Sequence, residues 1–313
     1  MKDETPEKIS VVGAGLMGHG IALQFAVAGF EVALHDTNGE KLEKALADIG
    51  GALDSLRQQG IVDAAAAGAA PGRIRTTTSL PEAVAGASLV VEAVYEDLPL
   101  KQQVFADLDR HCPPPAVLAS NTSSFMTSQL ASSTRNPDRV VVGNWWNPPY
   151  LVPLVEVVRG PQTSDGTIAS LRRLLEAAGK RPIVLQKESL GFIGNRMQFA
   201  LLREALAIVD RGIATPEDID DVVRTSFGRR LAVAGPLEVF DFAGWDTISH
   251  IIDELFPDLD TSRENFPVLR EMVARGELGV KSGKGFYEWD EERVAALKRR
   301  LAHALSSIDR FPE

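Results

Sequence analysis

Along the first half of the chain, short apolar runs alternate with longer amphipathic stretches. The runs fall at residues 9–13, 31–35, 74–78, 88–94, 116–120, 140–145, 154–158 and 182–186. Stretches of helical spacing lie between most of them, as at 17–28, 41–59 and 100–110. Strands alternating with helices predict βαβ units around a parallel sheet. Residues 90–94 are apolar apart from Glu92, as expected for a strand covered on both faces.

The pattern changes near Lys187. Phe192, Met197, Leu201, Leu202, Ala205, Ile208 and Val209 recur at helical spacing, and further helices are predicted at 216–225, 237–255, 267–275 and 291–307. Thr215-Pro216-Glu217 is a helix start signal. The Ala/Gly-rich stretch 64–72 reads as the end of a surface helix and a loop. The expected architecture is α/β: a Rossmann-like, doubly wound sheet domain at 1–188, then an all-α C-terminal domain at 189–313.

Composition narrows the class. The chain has 313 residues, 44% hydrophobic and 24% charged, which excludes disordered and fibrous types. Lys and Arg total 33 against 43 Asp and Glu, a net charge of -10, so no nucleic-acid partner is expected. Cys112 is the one cysteine, which rules out an intrachain disulfide and fits a reducing, cytoplasmic setting. The N-terminal ten residues are polar and unlike a signal peptide, and no apolar run reaches about 18 residues, so no membrane partner is expected.

The first strand runs into Gly13-Ala14-Gly15-Leu16-Met17-Gly18, a G-x-G-x-x-G between strand and helix. Gly13 permits the tight turn, Gly15 admits a pyrophosphate close to the backbone, and Gly18 lets helix and strand pack. Leu16 and Met17 open the helix whose N–H groups face the phosphates. Asp36 ends the second strand 18 residues after Gly18, placed to bond a ribose hydroxyl and to repel a 2′-phosphate. The cofactor is therefore expected to be NAD rather than NADP, and hydride transfer is the chemistry that it brings.

Further segments extend the picture: Val91 to Glu96 with Lys101, Ser120-Asn121-Thr122-Ser123-Ser124, Asn144-Trp145-Trp146-Asn147-Pro148, and Leu154 to Val158. Gly191 to Arg196, Gly235-Pro236 and Lys281 to Tyr287 follow in the second half. In order and spacing the chain resembles the L-3-hydroxyacyl-CoA dehydrogenase family over nearly its whole length. The resemblance implies a bilobal protein, a homodimer joined through its helical domain, that interconverts a secondary alcohol and a ketone on a small-molecule substrate with NAD. It also implies roles. Glu96 and Lys101 would lie near the nicotinamide ribose, with Asn121 among the cofactor contacts. Ser123 would bond the reacting oxygen, Glu156 would orient the base, and Asn195 would help to hold the substrate carbonyl.

The pattern departs at one position. The family motif is His-aromatic-aromatic-Asn-Pro, and here Asn144 occupies the histidine position. A positioned base is usually worth about 100- to 10,000-fold in rate, and an amide cannot take a proton. Three routes stay open. Asn144 polarises a carbonyl while Glu156, Tyr150 or water carries the proton; the chemistry has changed, to an imine for example, or been lost; or the histidine was exchanged deliberately. His19, His35, His111, His250 and His303 do not form an obvious replacement, no histidine pair has metal-site spacing, and Cys112 reads as a bystander.

The substrate side carries weaker signals. Residues 46–72 hold Arg57 as their only cation against Asp48, Asp54 and Asp63, which weakens the case for coenzyme A. The run from Asn147 to Glu156 resembles the branch acting on free hydroxy acids, such as gulonate, carnitine and pyridine-carboxylate dehydrogenases. Arg196, Arg229 and Arg230 are candidate cations for a substrate carboxylate. Trp145 and Trp146 either form an aromatic wall or pack in the core.

Overall fold

The computed structural model describes residues 7–308; the first six residues of the polar N-terminal segment lie outside the described residues. Two compact units are resolved, Met1–Asn195 and Arg196–Glu313.

The first unit is built on strands β1 (Lys8–Val12), β2 (Glu31–His35), β3 (Ile74–Thr77), β4 (Ala87–Glu92), β5 (Val117–Ser120), β6 (Val140–Trp145), β7 (Leu154–Val158) and β8 (Arg181–Leu185). Helices α1 (Leu16–Val27), α2 (Gly39–Gln58), α3 (Ala64–Ala69), α4 (Leu80–Val84), α5 (Leu98–His111), α6 (Thr127–Ala131) and α7 (Asp165–Ala177) lie between them. The Ala/Gly-rich stretch forms α3 and a short 3-10 turn, Ala70–Arg73. Side chains cap the longer helices: Asn38 accepts from the Glu40 amide, Asp97 from Leu100 and Ser164 from Thr167.

The strands form one sheet in the order β3-β2-β1-β4-β5-β6-β7-β8. The order reverses between β1 and β4, the switch point at which open α/β sheets bind ligands. One pair departs from the expected parallel sheet: β6 and β7 run antiparallel. Only residues 146–153 join them, too few for the crossover that a parallel pair needs. The pairing sets Asn144 opposite Glu156 and Trp145 opposite Val155.

Alternation along β6 and β7 fills both faces of the sheet. Val141, Trp145, Val155 and Val157 join a core with Ile21, Phe25 and Leu171. Val140, Val142 and Val158 join a second core with Phe105, Leu108 and Phe192. Asn144 and Glu156 project to the Phe192 side, because strand side chains alternate and their neighbours Trp145, Val155 and Val157 face the other way.

The second unit continues α8 (Gly194–Asp210) and adds α9 (Pro216–Thr225), α10 (Phe227–Leu231), α11 (Pro236–Ala243), α12 (Trp245–Leu255), α13 (Pro267–Ala274) and α14 (Glu291–Ile308). The single helix expected at 237–255 is two. Gly244, at φ 94°, ends α11 and starts α12, a backbone conformation that a helix cannot carry. Leu206, Ala207 and Phe266 form its buried cluster. Among the described residues no helix is long and apolar enough to cross a membrane.

Among the described residues, a buried ion pair joins Arg139 and Asp109. Arg139, just before β6, donates to Asp109 Oδ1 at 2.9 Å, Asp109 O at 2.8 Å and Pro113 O at 2.7 Å. Burial alone would raise the Asp109 carboxyl, but Asn136, the Arg135 amide and Arg139 hold it below its ordinary value. Breaking such a pair leaves an uncompensated charge. Arg139→Met is expected to cost about 3–5 kcal/mol at neutral pH, measured by urea unfolding. A depressed carboxyl stabilises above its unfolded pKa and loses that contribution as pH falls through its folded pKa, so the deficit should shrink in acid.

Candidate active site

The glycine loop follows β1. Gly13, at φ 105°, donates its N–H to His35 O at 2.7 Å, and a Cβ there would lie 2.5 Å from Ala93 O. A Cβ on Gly18 would lie 1.7 Å from Gly13 O, whereas one on Gly15 would meet nothing within 4 Å. Two glycines thus close the turn and the third faces open space. No side chain caps α1, so its first-turn N–H groups, Leu16 and Met17 among them, are open to an anion. Asp36 accepts from Ala14 N at 3.0 Å and Asn38 N at 3.1 Å, which fixes its carboxylate beside the loop. Each of its oxygens keeps a lone pair for a ribose hydroxyl. These residues fit a dinucleotide: Gly13 to Gly18 would hold the pyrophosphate and Asp36 the adenosine ribose.

A buried charge network lies at the ends of β4 and β5. Glu92, fully buried, accepts from Lys101 Nζ at 2.7 Å, the Val94 amide at 2.7 Å and the Ser120 hydroxyl at 2.5 Å. Lys101, also fully buried, reaches Glu96 Oε2 at 3.2 Å. Glu96 Oε1 accepts from the Thr122 hydroxyl, the Ser124 amide at 3.1 Å and the Ser123 amide at 3.3 Å. Burial pushes the Glu96 carboxyl up, but Thr122, Lys101 and Ser124 outweigh it and hold it below the usual range. Lys101 Nζ also donates to Val94 O at 3.3 Å. Asn121 donates its backbone N–H to Glu92 O at 2.7 Å, and its side-chain oxygen accepts from Trp145 N at 2.9 Å.

Asn144 and Glu156 meet across the β6–β7 ladder. The Asn144 amide donates to Glu156 Oε2 at 3.0 Å, and both side chains are buried. The Trp146 indole N–H donates to the same oxygen at 3.3 Å. Glu156 Oε1 accepts the amides of Ile193 at 2.8 Å and Gly194 at 2.9 Å, at the start of α8. Asn195 follows directly, so the chain brings it to the Glu156 end of the site. Ser123 is exposed on the loop after β5, one strand away, with its amide on Glu96. Trp146 was not legible as a Glu156 donor. A Cβ on Gly194 would fall 2.4 Å from its ring, so a glycine is needed where the indole crosses the start of the helix.

Several residues weighed from sequence lie elsewhere. Tyr150 packs against the Phe25 core, on the opposite face of the sheet from Asn144, and burial raises its phenol, followed by the Asp48 charge. Glu156 has both oxygens engaged, Oε2 by Asn144 and Trp146 and Oε1 by the Ile193 and Gly194 amides. Trp145 is core, 5.5 Å from the Phe25 ring and under the Lys180 ammonium. The thiol of Cys112 is buried and pushed up to about 12. His19 Nδ1 is bonded to Gly15 O, and His35 is buried, which lowers its pKa. His111, His250 and His303 are exposed.

The crossed strand order, the glycine cradle and the polar cluster beside it define a dinucleotide-binding oxidoreductase of the Rossmann class. The model of the 3-hydroxyacyl-CoA dehydrogenase NAD-binding domain matches residues 8–189, and that of the C-terminal domain of the same family matches 191–289. The chain is 34% identical over 305 residues to 5-formyl-3-hydroxy-2-methylpyridine 4-carboxylate 5-dehydrogenase of Mesorhizobium japonicum, covering 97% of this chain and 98% of that one. It is 37% identical to a probable 3-hydroxybutyryl-CoA dehydrogenase of Bacillus subtilis, over 91% and 98%. A crystal structure of the pyridine-carboxylate enzyme, described as an NAD+-dependent dismutase, superposes with a TM-score of 0.91 at 33% identity over 98% of both chains. The chain belongs to the 3-hydroxyacyl-CoA dehydrogenase family and is an NAD-dependent dehydrogenase.

Gly18→Ala is expected to displace the loop, because the clash is with backbone and cannot be relieved by a rotamer. Isothermal titration should find NAD binding at least about tenfold weaker, the equivalent of about 1.4 kcal/mol. The melting temperature should fall with it.

Proposed function

We propose that this enzyme interconverts a hydroxy and an oxo group on a small carboxylate-bearing substrate, with Ser123 and Asn144 holding the reacting oxygen and water exchanging the proton. The observation that carries this is the Asn144–Glu156 bond. It spends one N–H of the amide and leaves the other N–H and Oδ1 for substrate. That N–H and the Ser123 hydroxyl donate to a carbonyl oxygen, or Oδ1 accepts from an alcohol. Neither group removes a proton, and Glu156 is engaged by four N–H donors. NAD, when bound, supplies the hydride acceptor or donor. Asn195 adds a contact to the substrate carbonyl.

A free acid is favoured over a coenzyme A thioester. Of the three cations on α2, Lys44 is paired with Asp48 at 2.6 Å and Arg57 lies 3.5 Å from Asp54, while Lys41 stands over the Tyr95 ring at 5.6 Å, so one lysine of the helix is not paired with a carboxylate. The match to the pyridine-carboxylate enzyme spans more of this chain than the match to the butyryl-CoA enzyme. The helical unit exposes the apolar side chains of Leu237, Phe242 and Phe256, the second at 95%, and these are candidate contacts of a homodimer. The buried thiol and the lack of a disulfide partner fit a cytoplasmic setting.

Two measurements test this reading. Asn144→His should raise alcohol oxidation by about 100- to 10,000-fold and add a titration near the ordinary histidine range to the pH–rate profile. Without it, oxidation should keep rising with hydroxide concentration and show no plateau in that range. An unchanged rate in the histidine variant would remove the missing base as the limit. Light scattering should give twice the chain mass, and Phe242→Asp should return the monomer.

A further inference from the structure

The cofactor side and the reacting-oxygen side of the sheet are joined by one carboxylate. Glu96 lies on the loop from β4 to α5, and Ser123 lies on the loop from β5 to α6. We infer that Glu96 is a positioning residue for Ser123: it gathers the 122–124 loop on one oxygen and is held by the buried Lys101–Glu92 pair through the other. This rests on Ser123 as the group that bonds the reacting oxygen.

The connections form a continuous chain. Ser120 and Glu92 are register partners on β5 and β4, and the Ser120 hydroxyl donates to Glu92 Oε2. Glu92 Oε1 takes Lys101 Nζ at 2.7 Å, and the same ammonium reaches Glu96 Oε2 at 3.2 Å. Glu96 Oε1 then takes the Thr122 hydroxyl and the Ser123 and Ser124 amides. The Thr122 hydroxyl accepts in turn from the amides of Ser124 at 3.2 Å and Phe125 at 3.1 Å. Lys101 is 1% exposed at its side chain and Glu92 is 0% exposed, so the anchor does not compete with water, whereas Glu96 is 38% exposed. An exposed loop carrying a reacting group needs such an anchor. Its own backbone bonds leave Ser123 outside any strand or helix, and a displacement of about 1 Å at a reacting group can cost about 100-fold in rate.

Glu96→Ala tests this in the full-length enzyme. Oxidation kcat/KM for the substrate is expected to fall about 100-fold. The loss should persist at saturating NAD, and adding Ser123→Ala should lower it by less than about twofold more, because the two residues act as one unit. Amide hydrogen exchange across 121–126 should accelerate in the Glu96 variant. A loss recovered at saturating NAD would make Glu96 a cofactor contact alone and overturn the inference. So would additive losses in the double variant, or exchange that is unchanged. If Ser123→Ala by itself leaves turnover intact, the assignment of Ser123 falls, and loop positioning is then decided by the exchange measurement. Glu96→Gln, which keeps the side chain's shape and one oxygen, serves if the alanine variant does not fold and should show the same pattern at smaller size.

Discussion

Glu156 is a buried carboxylate, and the residues around it are arranged to satisfy it. Removing a carboxylate from water costs several kcal/mol even after relaxation, and only hydrogen bonds or opposite charge repay that. Here the repayment comes from four N–H donors drawn from three places: the facing strand, the loop beyond it and the start of a helix. Each donor must therefore be where it is. Asn144 must pair across β6 and β7, Trp146 must turn its indole inward, and the backbone of Ile193 and Gly194 must close over the strand ends. The antiparallel direction of β7 is what allows the first of these.

The same four bonds shape the chemistry. A carboxylate with both oxygens engaged orients its neighbours. Asn144 inherits that orientation without the basicity that a histidine would bring. In the proposed function Ser123 and Asn144 hold the oxygen, and water exchanges the proton that a histidine would take. Tyr150 is not a substitute, since it sits on the other face of the sheet.

A second buried charge, the Lys101–Glu92 pair, does a parallel job for the β4 and β5 ends. It is enclosed, so its geometry is set by packing rather than by solvent, and it passes that definition outward through Glu96 to a loop exposed to water. Buried pairs are weak evidence for stability but are well suited to fixing position. The site is thus framed by two buried carboxylates, each on the last or middle residue of a strand and each reaching a loop or helix start beyond the sheet.

How much of this was legible along the chain follows from how far each feature depends on neighbours in sequence. All eight strands were legible, because an apolar run bounded by turn residues is a local signal. The glycine loop and Asp36 were legible because their spacing is itself the mechanism. The Asn144 departure was visible for the same reason: it interrupts a motif of fixed order. The direction of β7 was not read, although the length of the 146–153 loop contained it. The two helices at Gly244 were read as one, because apolar spacing continues through a residue whose backbone leaves the helix. Glu92 stood out as a lone charge in an apolar run, but its partners lie on other elements. Trp146 and Tyr150 were ambiguous because loop side chains have no period to say which face they take. The sequence by itself determined the elements, the cofactor cradle and the missing histidine, all properties of spacing and residue type. Only the tertiary structure decided which side chains share Glu156 and which share Glu96, because strand register and loop direction set those contacts across residues far apart in the chain.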